Sequence, residues 1–567
     1  MKLDFILSDT TAASTLAAID EIVKKAENTD ESIIVLVPET SSLCIEKLLL
    51  ERQEAFSNVF VYSFVRLLEK IDVSQKSRYI SRDSAILITR KVIFDNYEKL
   101  TCFKKSAKSL GFAEIMYDTI AQFKASRITH DDVVKMINTA PAALVNKLSD
   151  ILTIFDAYTA FITGNFLDNC DKLDLLTHVV GGSDFVSNAH IYLVGFDSIT
   201  AQGVELIEVL TKISRGVKVA CSFIPKNAPN AYITENEVFE KCKHLADKYK
   251  LNYNPTRVEI KRNKAFSHLA KNLYAYPNTS IADDGTVAVY KAETPAKEAE
   301  YIAKKVAKLL KDGLSASDIA IVCPSPDEYN IHLSYEFSAR EIPFFISTPI
   351  PLLSHPLFGL VRSLLGCLRT NCEAEEVRIL MKNPLCELAG VDEFENLCLK
   401  FGTNYHGFFR PFHSKNIDGI DQIEQTRKAL ADFLTRFFDA LDGAQTCGQM
   451  AQAVLKFLDE IDIKSRMERL YQTQITLDEL SAKVTSQVLD KLFDGLKSII
   501  MFLGDTFTDI AEFGALFETL GLNEISLLPL TVGEVVCVPD TSSISPEVKV
   551  MIVCGATDGV VPLRVDD

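Results

Sequence analysis

The stretch Leu3-Asp4-Phe5-Ile6-Leu7-Ser8-Asp9-Thr10-Thr11-Ala12-Ala13-Ser14-Thr15 decides the fold. Phe5, Ile6 and Leu7 read as a short buried strand, and the polar run from Ser8 to Ser14 reads as a loop. A helix with Leu16, Ile19, Ile22 and Val23 on one face follows, then a buried-strand run from Ile33 to Val37. That is a βαβ unit of the kind that holds a phosphate-binding loop at a helix N-terminus. Such a loop needs glycines, so that backbone N–H groups can wrap the anion, and a lysine to neutralise it. Neither stands between Ser8 and Thr15. The sequence predicts the frame of a nucleotide-binding fold with a degenerate loop at Ser8, Ser14 and Thr15.

Outward from this unit, Ser41 to Gln53 reads as a helix and Val59 to Phe64 as a further strand. Residues 75–185 are helical in pattern: Asp83 to Tyr97, Phe112 to Lys124 and Ala143 to Thr163 carry apolar residues at three- and four-residue spacing. Strand signals resume at Ile191 to Val194 and Val217 to Phe223, with a helix from Gly203 to Ile213 between them. Strands alternating with helices predict a mostly parallel, doubly wound sheet. The basic stretch 255–275, with Arg257, Lys261, Arg262, Lys264 and Lys271, reads as a linker into a second unit. That unit is expected to open with a strand at Val287 to Tyr290. A helix bearing Ile302, Val306, Leu309 and Leu310 follows, then strands at Ile319 to Cys323 and Pro343 to Ile346. A second helical stretch runs from Leu357 to about Leu522, before strand runs at Glu534 to Val538 and Val548 to Cys554.

The fold class is therefore α/β, with two RecA-like parallel-sheet cores, each interrupted by a helical insertion. The expected boundaries are 1–74 with 186–275 for the first core, and 75–185 for its insert. The second core takes 280–355 with 526–567, and its insert 356–525. This layout is similar to that of superfamily 1 helicases, with the second core expected to be incomplete at Asp567.

Composition narrows the function classes. At 567 residues and 47% apolar content the chain can bury several cores. A net charge of −17 argues against a globally basic nucleic-acid coat, yet it permits a narrow basic channel inside an acidic shell. The 13 cysteines are dispersed from Cys44 to Cys554 without a CxxC pair, and the nine histidines form no HxxxH pair. Buried, reduced thiols and no zinc site are the expectation. No apolar run approaches a membrane span, and Asp4 and Asp9 argue against a secretory signal, so a cytoplasmic protein is expected.

Several stretches, taken in order, carry a more specific signal. They are Leu36-Val37-Pro38-Glu39, Val61-Tyr62-Ser63-Phe64-Val65-Arg66-Leu67 and Gly111-Phe112-Ala113-Glu114 with Gln122-Phe123-Lys124. Val194-Gly195-Phe196, Ala270-Lys271-Asn272-Leu273-Tyr274 and the run Val553 to Pro562 complete the set. Together they resemble the N-terminal, helicase-like part of the AddB/RexB family, the B subunits of the bacterial ATP-dependent helicase/deoxyribonuclease. The resemblance implies a motor-nuclease partner of AddA/RexA type and work on double-strand DNA ends, gripping single strands and duplex ends during recombinational repair. It also implies a helicase-like half inactive as a motor. The family's nuclease domain and iron–sulfur cluster are expected beyond this chain, and no cofactor within it. Where the family often keeps a glycine-rich loop ending in Lys-Thr, Ser14 and Thr15 stand here. Where an active motor carries a metal-binding Asp-Glu pair, Val194 and Gly195 stand, and Asp197 reads as a turn or cap residue.

Candidate DNA contacts lie at the C-terminal ends of the first sheet's strands, where open α/β sheets bind ligands. Thr40 and Ser42 can donate hydroxyl hydrogen bonds, Phe64 and Phe196 can stack on bases, and Arg66 can bind phosphate or a guanine edge. The alternatives are core packing for both phenylalanines and a neighbouring acid for Arg66. Glu69 stands where the family tends to place a second aromatic, and it would repel phosphate. Lys104, Lys105, Lys108, Lys124 and Arg127 could line a strand channel or simply solvate helix faces. A nuclease site is not expected at Val289-Tyr290-Lys291, because an apolar residue stands where its acid belongs, downstream of Asp283 and Asp284. Two rivals to the inactivated subunit remain: an active ATP-dependent motor, and an interaction scaffold without DNA contact.

Overall fold

The computed structural model describes residues 2–561 apart from 73–78, 110, 225–235, 260–262, 274–276, 278, 348, 413–418, 477–478, 526 and 528–532. Lys261, Arg262, Tyr274 and the stretch from Pro562 to Asp567 thus lie outside the described residues. The first core assembles around β1 (Leu3–Ser8). With β2 (Ile33–Leu36), β3 (Val59–Tyr62), β4 (His190–Leu193), β5 (Gly216–Ser222) and β6 (Thr256–Arg257), it forms a six-stranded sheet among the described residues. The order is β3-β2-β4-β5-β1-β6 and every pairing is parallel. Alternation along β1 sends Leu3, Phe5 and Leu7 into one apolar cluster and Ile6 into another.

Both faces are covered, which explains why β2 reads as an unbroken apolar run, Ile33 to Leu36, wholly buried. Helices α1 (Thr11–Asn28) and α2 (Ser42–Arg52) cover the face holding Ile6. Helix α3 (Phe64–Ile71) serves the opposite face.

The first insert comprises α4 (Arg82–Asp95), α5 (Phe112–Ala125), α6 (His130–Thr139) and α7 (Ala142–Ile162). It leaves and rejoins the core at one place, where Tyr79 bridges Leu167 and the Ile80 N–H donates to the Leu167 carbonyl. Helix α8 (Asn169–Val179) and the short α9 (Asp184–Ser187) then pack on the first sheet's layer through Leu176, Val180 and Val186. Helices α10 (Ala201–Ile213) and α11 (Glu237–Lys248) complete that layer.

After α12 (Lys264–Asn272) come α13 (Pro295–Lys311), β7 (Ile319–Val322), α14 (Pro326–Ser338), β8 (Phe344–Ile346) and β9 (Ile350–Pro351). The second insert then runs through α15 (Pro356–Arg369), α16 (Ala374–Met381), α17 (Val391–Phe401) and α18 (Ile420–Leu441). It continues with α19 (Cys447–Glu460), α20 (Ile463–Ile475), α21 (Glu479–Leu503) and α22 (Ile510–Gly521). β10 (Glu524–Ile525) pairs antiparallel with β9 and closes the insert at its root. β11 (Val535–Val538) and β12 (Val550–Val553) return to a second parallel sheet, ordered β12-β7-β11-β8. Two parallel sheets with helical layers fit two RecA-like cores.

Three expectations are corrected. The run Val59 to Phe64 is a strand only as far as Tyr62; Ser63 caps α3 by accepting the Arg66 N–H at 3.3 Å, so Phe64 opens a helix. The 255–275 stretch is more than a linker, since Thr256 and Arg257 extend the first sheet beside Ile6 and Leu7. Val287 to Tyr290 forms no strand: Val289 is 95% exposed and Tyr290 stacks on Tyr301 at 3.7 Å. An apolar run becomes a strand only where a neighbouring edge accepts its hydrogen bonds, and neither edge strand of the second sheet, β12 or β8, pairs with this run. None of the 13 cysteines is paired and ten are buried. No helix among the described residues is long and apolar enough to cross a membrane.

Candidate nucleic-acid interface on the first sheet

The C-terminal edge of the first sheet gathers the ends of β1, β2, β3 and β4, and with them most residues singled out in the sequence. The expected Ser8–Ser14 loop shrinks here to two residues. β1 ends at Ser8 and α1 begins at Thr11, because Ala12 and Ala13 favour helix and Thr10 caps it, accepting the Ala13 N–H at 3.3 Å. Ser14 and Thr15 consequently sit inside α1 and are buried, at 0% and 3% exposure. Ser14 donates its hydroxyl to the Thr11 carbonyl at 3.0 Å, and Ser8 donates to the Val258 carbonyl at 2.8 Å. Asp197, from the turn after β4, faces the start of α1 and accepts the Thr11 hydroxyl at 2.5 Å. A carboxylate therefore already occupies the positive end of the helix, where a phosphate would bring its charge. Between Ser8 and Thr15 there is no glycine to let the backbone wrap a phosphate and no lysine to neutralise one.

Gly195 makes the turn after β4 possible. Its φ is +80°, and a Cβ there would stand 3.7 Å from the Pro38 ring. The turn brings Phe196 over Phe64, with ring centroids 5.4 Å apart and planes at 18°. Each phenylalanine spends one face on the other and is half-buried against the core. The pair is thus one aromatic surface with outer faces only.

Beside it, the Arg66 guanidinium lies 3.2 Å from a Glu39 oxygen and donates to Ser42 Oγ at 3.3 Å. The side chain remains 52% exposed, so guanidinium donors still face solvent. Thr40 is exposed in the same turn, Glu39–Ser41. Thr40, Phe64, Arg66 and Phe196 are thereby brought together on one rim, with Glu69 exposed one helical turn beyond Arg66. Ser42, expected to donate to DNA, is instead buried at 3% exposure under that rim, its hydroxyl taken up by Arg66 and Glu46.

Lys124 and Arg127 lie elsewhere. Lys124 is held by Asp168 at 2.8 Å and Asp171 at 2.6 Å and is 14% exposed. Burial opposes its charge, but the two carboxylates outweigh it and the ammonium pKa rises. Asp168 also accepts the Tyr158 hydroxyl at 3.1 Å and caps α8, so the cluster ties α5, α7 and α8 together. Arg127 binds Glu205 and Asp174, which raise its pKa further and pin the end of α5 to α8 and α10. Lys104 pairs with Glu98 at 2.7 Å and, like Lys108, lies over the Tyr97 ring.

Glu39 and Thr11 are the members of this rim that sequence reasoning missed. Glu39 could have been found from its place directly after Pro38 at a strand end; nothing local marks Thr11. Among the described residues no group of three or more His, Cys, Asp or Glu side chains is arranged to hold a metal ion.

Residues 5–275 match the family described as ADDB, N-terminal. Over its whole length the chain is 23% identical to the B subunit of the ATP-dependent helicase/deoxyribonuclease of Alkaliphilus metalliredigens, covering 53% of that protein. Ninety-nine per cent of the chain aligns at 25% identity with the corresponding B subunit of Bacillus cereus strain AH187, and at 24% with that of Bacillus mycoides. The chain spans about half the length of the curated relatives it matches.

Proposed function

From a chain that belongs, over residues 5–275, to the AddB N-terminal family, we propose a helicase-like B subunit that grips DNA beside a motor partner and turns over no nucleotide. The curated relatives are named as B subunits of an ATP-dependent helicase/deoxyribonuclease, and the proposal brings that setting, the processing of DNA ends, to this chain. Its helicase-like architecture is part of the same reading.

One observation carries the inactivity. α1 starts two residues after β1, with Ser14 and Thr15 buried and Asp197 at the helix's positive end. A triphosphate–magnesium complex would need a wrapped backbone loop, a lysine and a carboxylate for the metal. Here the loop is too short, the lysine is missing and the carboxylate at the helix start would repel the phosphates. Equilibrium binding of labelled ATP with magnesium tests this directly. No saturable binding is expected, and saturation at micromolar ATP would replace the reading with that of an active motor.

DNA contact rests on the rim of Thr40, Arg66 and the Phe64–Phe196 pair; Ser42, buried beneath it, holds Arg66 in place. The exposed guanidinium suits a phosphate or a base edge, and the outer aromatic faces suit one stacked base. Lys124 and Arg127 contribute less, because their charges are already matched by carboxylates. Filter binding of a single-stranded oligonucleotide across a salt series checks the contact. Affinity falls as salt rises if the rim holds phosphates, and complete absence of binding at low salt leaves the interaction scaffold.

A further inference from the structure

Two inserts that leave different sheets would ordinarily be two domains, free to move with their own cores. Here they share one interior. A single apolar cluster runs from Ile86, Ile88, Tyr158 and Ile162 of the first insert into Leu360, Leu492, Phe513 and Phe517 of the second. α4 lies against both α21 and α22. Phe166, where the first insert rejoins its core, meets Phe502 of α21 edge-on at 5.0 Å.

Polar groups cross the same boundary under cover. The buried Arg90 donates to Thr519 Oγ1 at 3.0 Å, Ser84 and Ser498 hydroxyls meet at 3.2 Å, and Lys91 reaches Thr506 at 3.3 Å. Burial lowers the Arg90 pKa, although Glu512 and Glu518 support its charge. Sliding α4 along α21 and α22 would strand that guanidinium, parted from Thr519 of α22, in an apolar interior and unseat close-packed rings.

We infer that the two helical inserts form one cooperative body, which ties both α/β cores together as a fixed frame rather than as two cores that open and close. The inference does not depend on the state of the nucleotide loop. It concerns mechanical freedom, and it holds whether or not ATP binds.

Hydrogen exchange of the full chain along a urea series tests it. Amides of α4 and α21 are expected to exchange through one opening, with the same urea dependence. Phe502→Ala is expected to lower protection in both by the same factor. Separate openings, or a loss confined to α21, would overturn the inference. Because that variant could misfold, a second measurement uses the intact frame. Spin labels at Asp30→Cys on the first core and Asp312→Cys on the second, in a Cys44→Ser, Cys102→Ser, Cys170→Ser background that removes the three cysteines not buried, report the distance between the sheets. One narrow distribution is expected, unchanged by a single-stranded oligonucleotide or by magnesium-ATP. A shift or a second population would overturn the frame, while the separate ATP-binding measurement reports on the loop.

Discussion

Where α4 meets α21, the two halves of the chain join through Leu, Ile and Phe side chains with a buried arginine among them; where α2 meets the segment after β11, they join through solvent-facing polar groups. In the second junction Arg52, also 3.4 Å from Asp20 of its own core, reaches Glu547 at 2.5 Å, Ser41 donates to the Ser542 carbonyl at 3.4 Å, and the Cys44 thiol faces Ser545. Apolar burial is non-directional and is not screened by salt, whereas exposed ion pairs are weak and screened. The same two halves are therefore welded on one side and only buttoned on the other.

The comparison breaks most readily at the weld. Phe502→Ala should cost about 3 kcal/mol, read as a shift in the urea midpoint, because a ring packed against Phe166 leaves a cavity. A loss below about 1 kcal/mol would mean that the boundary is not a true core.

A pH titration of stability sharpens it next. His355 is buried at the root of the second insert, accepting the Leu357 N–H at Nδ1 and donating from Nε2 to Thr485. Burial pushes its pKa down to about 4 from 6.5. Its contribution is complete above pH 6.5 and drains away as pH falls toward 4, on the order of 3 kcal/mol in all. His355→Gln should flatten that limb of the stability curve; an unchanged limb would remove His355 as its cause.

A smaller effect is expected on the rim. Arg66→Ala should weaken single-strand binding about tenfold at low salt, roughly 1.4 kcal/mol, and reduce the salt slope. Unchanged affinity would shift the contact away from this arginine, leaving it as the partner of Glu39 alone.

The smallest change belongs to the polar seam. Arg52→Ala should lower stability by less than about 1 kcal/mol, and that difference should vanish at high salt. A larger, salt-resistant loss would make the seam a second weld and erase the contrast.

Much of this architecture is written locally. The unbroken apolar run Ile33 to Val37, the helical spacing of Asp83 to Tyr97 and of Ala143 to Thr163, and the missing glycine and lysine after Ser8 each depend on residues a few places apart. So does the α/β alternation, which is why it was legible. The length of the loop after Ser8 was not: helix propensity at Ala12 and Ala13 and the cap at Thr10 drew α1 back to Thr11, and this buried Ser14 and Thr15. Ser63 likewise turned Phe64 from a strand end into a helix start.

By itself the sequence determined most of the strands and helices, the order in which two sheets interrupt and resume, and the absence of a glycine or lysine between Ser8 and Thr15, because periodicity and residue type are local properties. Only the tertiary structure decided that Phe64 faces Phe196, that Glu39 answers Arg66, that Lys124 is enclosed by Asp168 and Asp171, and that the inserts share a core. Those are choices of partner. An exposed arginine and a paired one carry the same spacing signal, and an apolar helix face is equally satisfied by its own domain or by the next. Which surface arrives is settled by the close packing of the whole chain.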